Sequence, residues 1–247
     1  MMTLTFVTCC FLLQSPTAEV IEHAQAGAAA LKQGKPDVAI QEFRRVTELQ
    51  PGSAAGHANL GDAYFQNGDY GAAIPELDLA LRINPNLMGT HQTLGVALLV
   101  QGSPEEALPH LEKNRTPELL GLAYLETGRL GSAIMALQAA LNNQPNDPDL
   151  LYYFGRATGS AAKRTLDQLA KVNPDMARKS SDAAANESRP PQDVVELQKA
   201  LAKQPNDADL LLAFSRAAAL ASRRAFDRIL QSSANSARAH QIGRAHV

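Results

Sequence analysis

The chain has 247 residues, 45 % hydrophobic and 5 % aromatic, with no tryptophan and a formal net charge of −2. That length is ample for a folded body, and no stretch shows the strict apolar–polar alternation of a half-buried strand. A near-neutral charge without a basic stripe argues against a general nucleic-acid or anionic-membrane binder.

The first 18 residues stand apart. An apolar run at Leu4–Leu13 is followed by small and polar residues up to Ala18. The run is too short to span a bilayer. It has the apolar and cleavage regions of an export signal, with cleavage after Ala18, although a basic N-terminal region is missing. The expectation is export, to the periplasm or outside the cell, with the cytoplasm as the other location. Membrane association is expected only if this segment stays uncleaved or is lipidated. The structural alternative is a hydrophobic first helix or a mis-chosen start codon. The only cysteines are Cys9 and Cys10. Adjacent cysteines close a strained ring and make a poor structural disulfide, so cysteine usage does not report the redox compartment.

From residue 19 to 147 the pattern is helical and returns every 34 residues. The clearest unit carries Leu60, Gly61, Ala63, Tyr64, Gly68, Tyr70, Ala73, Leu77, Ala80 and Pro85. Gly61 and Ala73 are small enough to let two helices cross closely, while Tyr64 and Leu77 fill the space they leave. Ala80 plays the small-residue part toward the next unit. Gly68 suits a turn that needs positive φ, and Pro85 ends the second helix. One period earlier stand Gly27, Ala29, Gly34, Ala39, Phe43 and Pro51; one period later stand Leu94, Gly95, Ala97, Gly102, Ala107 and Leu111. The next unit begins early, with Leu120, Gly121, Ala123, Tyr124, Gly128, Ala133, Leu137, Ala140 and Pro145. The unit before it has therefore lost about eight residues from the end of its second helix.

Helix starts are marked by Ser103-Pro104-Glu105-Glu106, a capping box with proline at the first position, and by Thr116-Pro117. Lys35-Pro36-Asp37 and Asp147-Pro148-Asp149 put proline and an acid in the first turn. Pro75 and Pro109 share one repeat position a little inside the second helix, where a bend or late start is expected.

Residues 148–241 show a longer period. Residues 137–178 align without gaps with 197–238, sixty positions on; Gln144-Pro-Asn-Asp147 reappears as Gln204-Pro-Asn-Asp207, and Phe154, Arg156, Arg164 and Asp167 as Phe214, Arg216, Arg224 and Asp227. This reads as a duplicated four-helix block. Within it, residues 176–189 must form a helix to keep register, yet Ser180-Ser181 stand where the repeat's Leu-Gly pair belongs and Ala184 where its Tyr belongs, so that helix has little to bury. The last six residues, Ile242–Val247, can be back-translated as a common sequencing adapter read in frame. They are expected to be a non-native tail on a truncated end.

The residues named in the 34-residue units resemble the tetratricopeptide repeat (TPR). The likeness spans residues 18–241, strongest over 54–87 and 114–147, and the alternation of short and full units resembles large bacterial TPR proteins. It implies an all-α, TPR-type solenoid, a right-handed superhelix of antiparallel helix pairs. Four repeats are expected over 19–147, the third shortened, with degenerate duplicated units over 148–241.

No nucleophile elbow, P-loop or dinucleotide fingerprint occurs. No enzyme activity, cofactor or small-molecule substrate is expected. His23, His57 and His91 share one repeat position, but equivalent positions lie a helix-packing step apart, too far for one metal, so packing explains them better. Arg164/Asp167 and Arg224/Asp227 read as surface ion pairs of about 0.3 kcal/mol each.

The resemblance implies a concave groove lined by the first helix of each unit: Asn59, Asp62, Phe65 and Gln66, then Gln92, Val96 and Leu99, then Leu122, Leu125 and Glu126. The Lys and Arg that accompany a groove Asn in carboxylate-clamping relatives are missing around Asn59. An extended segment or partner helix with apolar anchors fits this mixed lining; packing between units is the other use of it. The expected function is a non-catalytic protein–protein interaction scaffold with a protein or peptide partner. The second hypothesis is a docking region of an enzyme whose catalytic domain lies downstream.

Overall fold

The computed structural model describes residues 18–183 and 193–232. The apolar N-terminal segment with Cys9 and Cys10, where an export signal was expected, the end of the 176–189 stretch and residues 242–247 lie outside the described residues. All described elements are α-helices, with no strand among them. No described helix is long and apolar enough to cross a membrane. The chain divides into two compact units, Met1–Gln101 and Gly102–Val247.

The first unit holds α1 (Ala18–Lys32), α2 (Pro36–Leu49), α3 (Ala54–Gln66), α4 (Tyr70–Ile83) and α5 (Met88–Val100). Each helix packs on the next, and α3 also touches α5. The turns explain the hairpins. Gly68 sits at φ 80°, a left-handed conformation that costs glycine nothing. Its neighbour Asp69 donates its N–H to the Tyr64 carbonyl at 2.9 Å, closing α3. The Asp69 carboxylate then accepts from the Ala72 N–H at 3.1 Å, capping α4. One short turn thus ends one helix and starts the next. Gly34 and Gly128 sit in the same conformation in their own turns.

The crossing of α3 and α4 depends on the missing side chain of Gly61. A Cβ there would lie 2.6 Å from Leu77 Cγ and Cδ2 and 3.2 Å from the Leu77 backbone nitrogen. Leu77, Ala73 and Ala80 are fully buried beneath it, and burying Leu77 contributes about 1.5–3 kcal/mol. Gly121 stands under Leu137 in the same way. Successive repeats are also tied by their tyrosines. Arg44 Nε and Nη2 donate to the Tyr64 hydroxyl at 2.9 and 2.5 Å.

Pro75 does not delay α4, which begins at Tyr70, one 34-residue period after α2. The helix runs through the proline and forgoes only the bond to the carbonyl four residues back. Pro109 likewise lies inside a continuous helix.

The second unit holds α6 (Pro104–Asn114), α7 (Pro117–Glu126), α8 (Leu130–Asn143), α9 (Pro148–Val172), α10 (Pro174–Ala183), α11 (Val194–Lys203) and α12 (Ala208–Ser232). The second helix of the shortened repeat, α6, has 11 residues where α4 and α8 have 14. Arg115, at φ 51°, ends it in a left-handed turn. The Tyr124 hydroxyl donates to Glu112 at 2.8 Å, and Glu112 occupies the repeat position of Arg44. That partner lies 12 residues back rather than 20, so the missing residues come from beyond the contact, at the C-terminal end of α6. The expected side-chain caps at Ser103 and Thr116 do not form. The Thr116 hydroxyl is buried without a partner. Asp147 does cap its helix, accepting from the N–H groups of Asp149 and Leu150 at 2.9 Å each.

The duplicated region departs most from expectation. In place of a four-helix block, one period comprises α9, α10 and α11 among the described residues, and α9 and α12 are single 25-residue helices. α9 runs straight through the turn-prone pair Gly159-Ser160, where Gly159 packs against Ser222 of α12. Contacts between α9 and α12 are the most extensive of any helix pair. Gly155 lies under Phe226 and Gly159 under Ser222, so the two helices run antiparallel. The Ser222 hydroxyl donates to the Gly155 carbonyl at 2.8 Å.

The contacts at the two ends are reciprocal. Arg228 of α12 donates to the Pro145 carbonyl and, at 2.8 Å, to Asn146 Oδ1. Gln168 of α9, sixty residues earlier, donates to the Pro205 carbonyl at 2.6 Å and to Asn206 Oδ1 at 3.2 Å. Each residue matches its counterpart in the other copy. The two copies therefore pack about an internal pseudo-two-fold axis, the self-complementary arrangement of an isologous dimer, within one chain.

Candidate partner-binding face

In the first unit the groove residues fall on two helices that touch, α3 and α5. Phe65, Val96 and Leu99 are half-buried, whereas Asn59, Gln66 and Gln92 are exposed. Phe65 meets Tyr70 edge-on, with ring centroids 5.4 Å apart. Asp62 lies between the helices. Burial pushes its carboxyl above the ordinary aspartate range, opposed by a side-chain hydrogen bond with Thr93 of α5. Its Oδ1 atom is buried and unpartnered. A desolvated acceptor of this kind costs about 1–3 kcal/mol until a donor reaches it.

In the second unit α7 supplies Leu122, half-buried, and Glu126, exposed. Glu126 Oε1 lies 3.5 Å from Arg156 Nη1, and the Arg156 guanidinium sits over the Tyr152 ring at 5.8 Å. Leu125 does not line a groove. It is 8 % exposed and belongs to the core with Leu130, Ile134 and Phe154, the packing use that sequence reading had left open.

The repeated histidines hold the helix pairs together. His23 Nδ1 lies 2.7 Å from Glu42 Oε2, and His57 Nδ1 lies 2.7 Å from Glu76 Oε2. His57 Nε2 donates to the Pro51 carbonyl at 2.9 Å, and His91 Nε2 to the Pro85 carbonyl at 3.1 Å. The acids were missed in the sequence, although a Glu 19 residues after His23 and again after His57 was there to be seen. Thr93, Tyr70, Tyr152 and Arg156 carried no such signal. Among the described residues no three His, Cys, Asp or Glu side chains are grouped to hold a metal. The expected Arg164/Asp167 and Arg224/Asp227 ion pairs do not form among the described residues; Arg164 Nη1 turns instead to the Gly128 carbonyl at 3.2 Å.

Family profiles described as tetratricopeptide repeat match residues 25–87 and 118–147. These two stretches of the chain are tetratricopeptide repeats. Among solved structures, MamA (41–end) from Desulfovibrio magneticus RS-1 is 24 % identical, with 58 % of this chain and 85 % of that one covered and a TM-score of 0.54. YrrB, described as a TPR protein with an unusual peptide-binding site, is 14 % identical over 91 % of this chain and 92 % of its own, with a TM-score of 0.59. PilF from Pseudomonas aeruginosa is 19 % identical over 92 % and 97 %, with a TM-score of 0.50. At these identities the likeness is one of fold. No curated protein matches the chain by sequence.

Proposed function

We propose that this protein is a non-catalytic scaffold that binds an extended segment or a helix of another protein on the face formed by α3 and α5. The observation that carries the reading is the composition of that face. Half-buried Phe65, Val96 and Leu99 alternate with exposed Asn59, Gln66 and Gln92. Apolar anchors flanked by amides suit a partner that inserts side chains and hydrogen-bonds its backbone. The peptide-binding site in the description of YrrB agrees with this use of the fold.

The test is selection of peptides from a random display library on the whole chain. Binders are then titrated against Phe65→Ser and Leu99→Ser, with Arg82→Ser, an exposed residue of α4, as control. The reading expects at least a tenfold loss with the first two and none with the control. Binders indifferent to both groove variants would contradict it.

A further inference from the structure

The pseudo-two-fold packing of the duplicated block leaves two clefts that are counterparts of each other. One, of about 470 Å³, is lined by Gln138, Leu141, Phe154, Ala221 and Arg224. The other, of about 520 Å³, is lined by Gln198, Leu201, Phe214, Ala161 and Arg164. Each residue has the identical residue sixty positions away in the other cleft. Packing explains the leucines, phenylalanines and alanines. It does not explain the arginine, since no carboxylate bridges Arg164 or Arg224 among the described residues.

The described linings of the clefts differ in charge. The first also holds Asp193, and its second arginine, Arg228, is committed to the Pro145 carbonyl and Asn146. The second is also lined by Arg129 and Lys199, and no carboxylate is among its described lining residues. Lys199 pairs with Glu196 at 2.9 Å. Arg164 spends one N–H on the Gly128 carbonyl, and a guanidinium has five. Arg129 is exposed and carries no ion pair among the described residues. The cleft thus sets an apolar floor under two cations that carry no ion pair among the described residues.

We propose that the cleft lined by Arg129, Arg164 and Phe214 binds a short peptide segment in which an acidic side chain neighbours an apolar one. The carboxylate meets the two guanidiniums, a pairing Arg makes bidentately, and the apolar side chain lies on Phe214, Leu201 and Ala161. Its volume falls within the range of ligand sites, about 300–1,000 Å³. Gln198 favours a peptide over a simple fatty acid, because its half-buried amide gains partners from peptide groups and none from an alkyl chain. This site is independent of the α3–α5 face.

The experiment is calorimetric titration of the whole chain at low salt. The probes are the end-capped peptide acetyl-Ala-Leu-Glu-Glu-Leu-Ala-amide, its double Glu→Gln analogue, and decanoate. The expected result is binding of the acidic peptide at least tenfold tighter than its analogue and than decanoate. Arg164→Gln should lose tenfold or more, whereas Arg224→Gln and Phe65→Ser bind as wild type. Equal binding of the two peptides, no binding up to millimolar concentration, or an Arg164→Gln variant that binds normally overturns the site. Equal loss with Arg224→Gln overturns the choice between the clefts, and decanoate binding as tightly as the peptide overturns the ligand class. Loss with Phe65→Ser instead moves the binding to the α3–α5 face.

Discussion

Gly61→Leu should destabilise the protein, and the size of the effect follows from the geometry of one crossing. The first added carbon already meets Leu77 Cγ and Cδ2 at 2.6 Å. Leu77 is fully buried, so its side chain has no free space to move into. The 3.2 Å approach to its backbone nitrogen means that α4 itself must shift. Overpacking of this kind costs about 1–3 kcal/mol, against which replacing a helical glycine returns about 1 kcal/mol. Gly61→Ala should therefore lie between neutral and about 2 kcal/mol destabilising, and Gly61→Leu at or beyond the upper end. Gly71→Ala is the matched control, because a Cβ there meets nothing nearer than Gln101 Nε2 at 3.5 Å. That variant should be neutral or slightly stabilising. Urea unfolding followed by circular dichroism reads the order, with the first transition compared, since arrays need not unfold in one step. If Gly61→Leu melts with wild type, α3 and α4 do not cross at this residue and the repeat register is wrong.

Asp62 links stability to pH. Its folded carboxyl is raised by burial, so it contributes stability that is complete below the ordinary aspartate range and lost as pH rises through the raised value. Asp62→Asn should remove that slope and leave the protein no less stable at pH 7; an unchanged pH profile by denaturant titration refutes this. Tyr64→Phe removes the acceptor of Arg44 and should cost about 0.5–1.5 kcal/mol, with a similar loss for Tyr124→Phe, which abandons Glu112. Neutral melts for both variants would show that the hydroxyls do not tie the repeats. Limited trypsin digestion should cut first near Lys179 or Arg189 and leave a resistant fragment of about residues 18–178. Among the described side chains of α10, Ala177 and Met176 pack on the neighbouring core, and a weakly packed unit opens first. First cleavage within 54–147, found by mass spectrometry, contradicts this.

The repeat architecture was legible because it is written in steric terms. Gly61, Gly121 and the positive-φ Gly68 and Gly128 can hardly be replaced without moving a helix, so their 34-residue spacing reported helix crossings and turns directly. The shortened repeat was legible for the same reason, since Gly121 arrives early. What escaped were features settled by tertiary contact. Ser103 and Thr116 have the right chemistry for caps, but their hydroxyls do not reach the free N–H groups. The duplication was visible as identical residues, yet two helices from different copies had to meet before Arg228 and Gln168 showed a two-fold relation. Leu125 and Leu122 look equivalent in the chain; the depth of the α7–α8 contact sends the first into the core. Asp62 was visible as a polar residue of the lining, whereas its unpartnered oxygen depends on the position of Thr93 one repeat later.

Hydrogen–deuterium exchange of the whole chain, with and without a display-selected peptide, tests the central claim most directly. Binding on the proposed face predicts new protection in α3 and α5, centred on residues 59–66 and 92–99, with little change in α2. Protection confined to other helices, or none at saturating peptide, would contradict the assignment of this face to a partner.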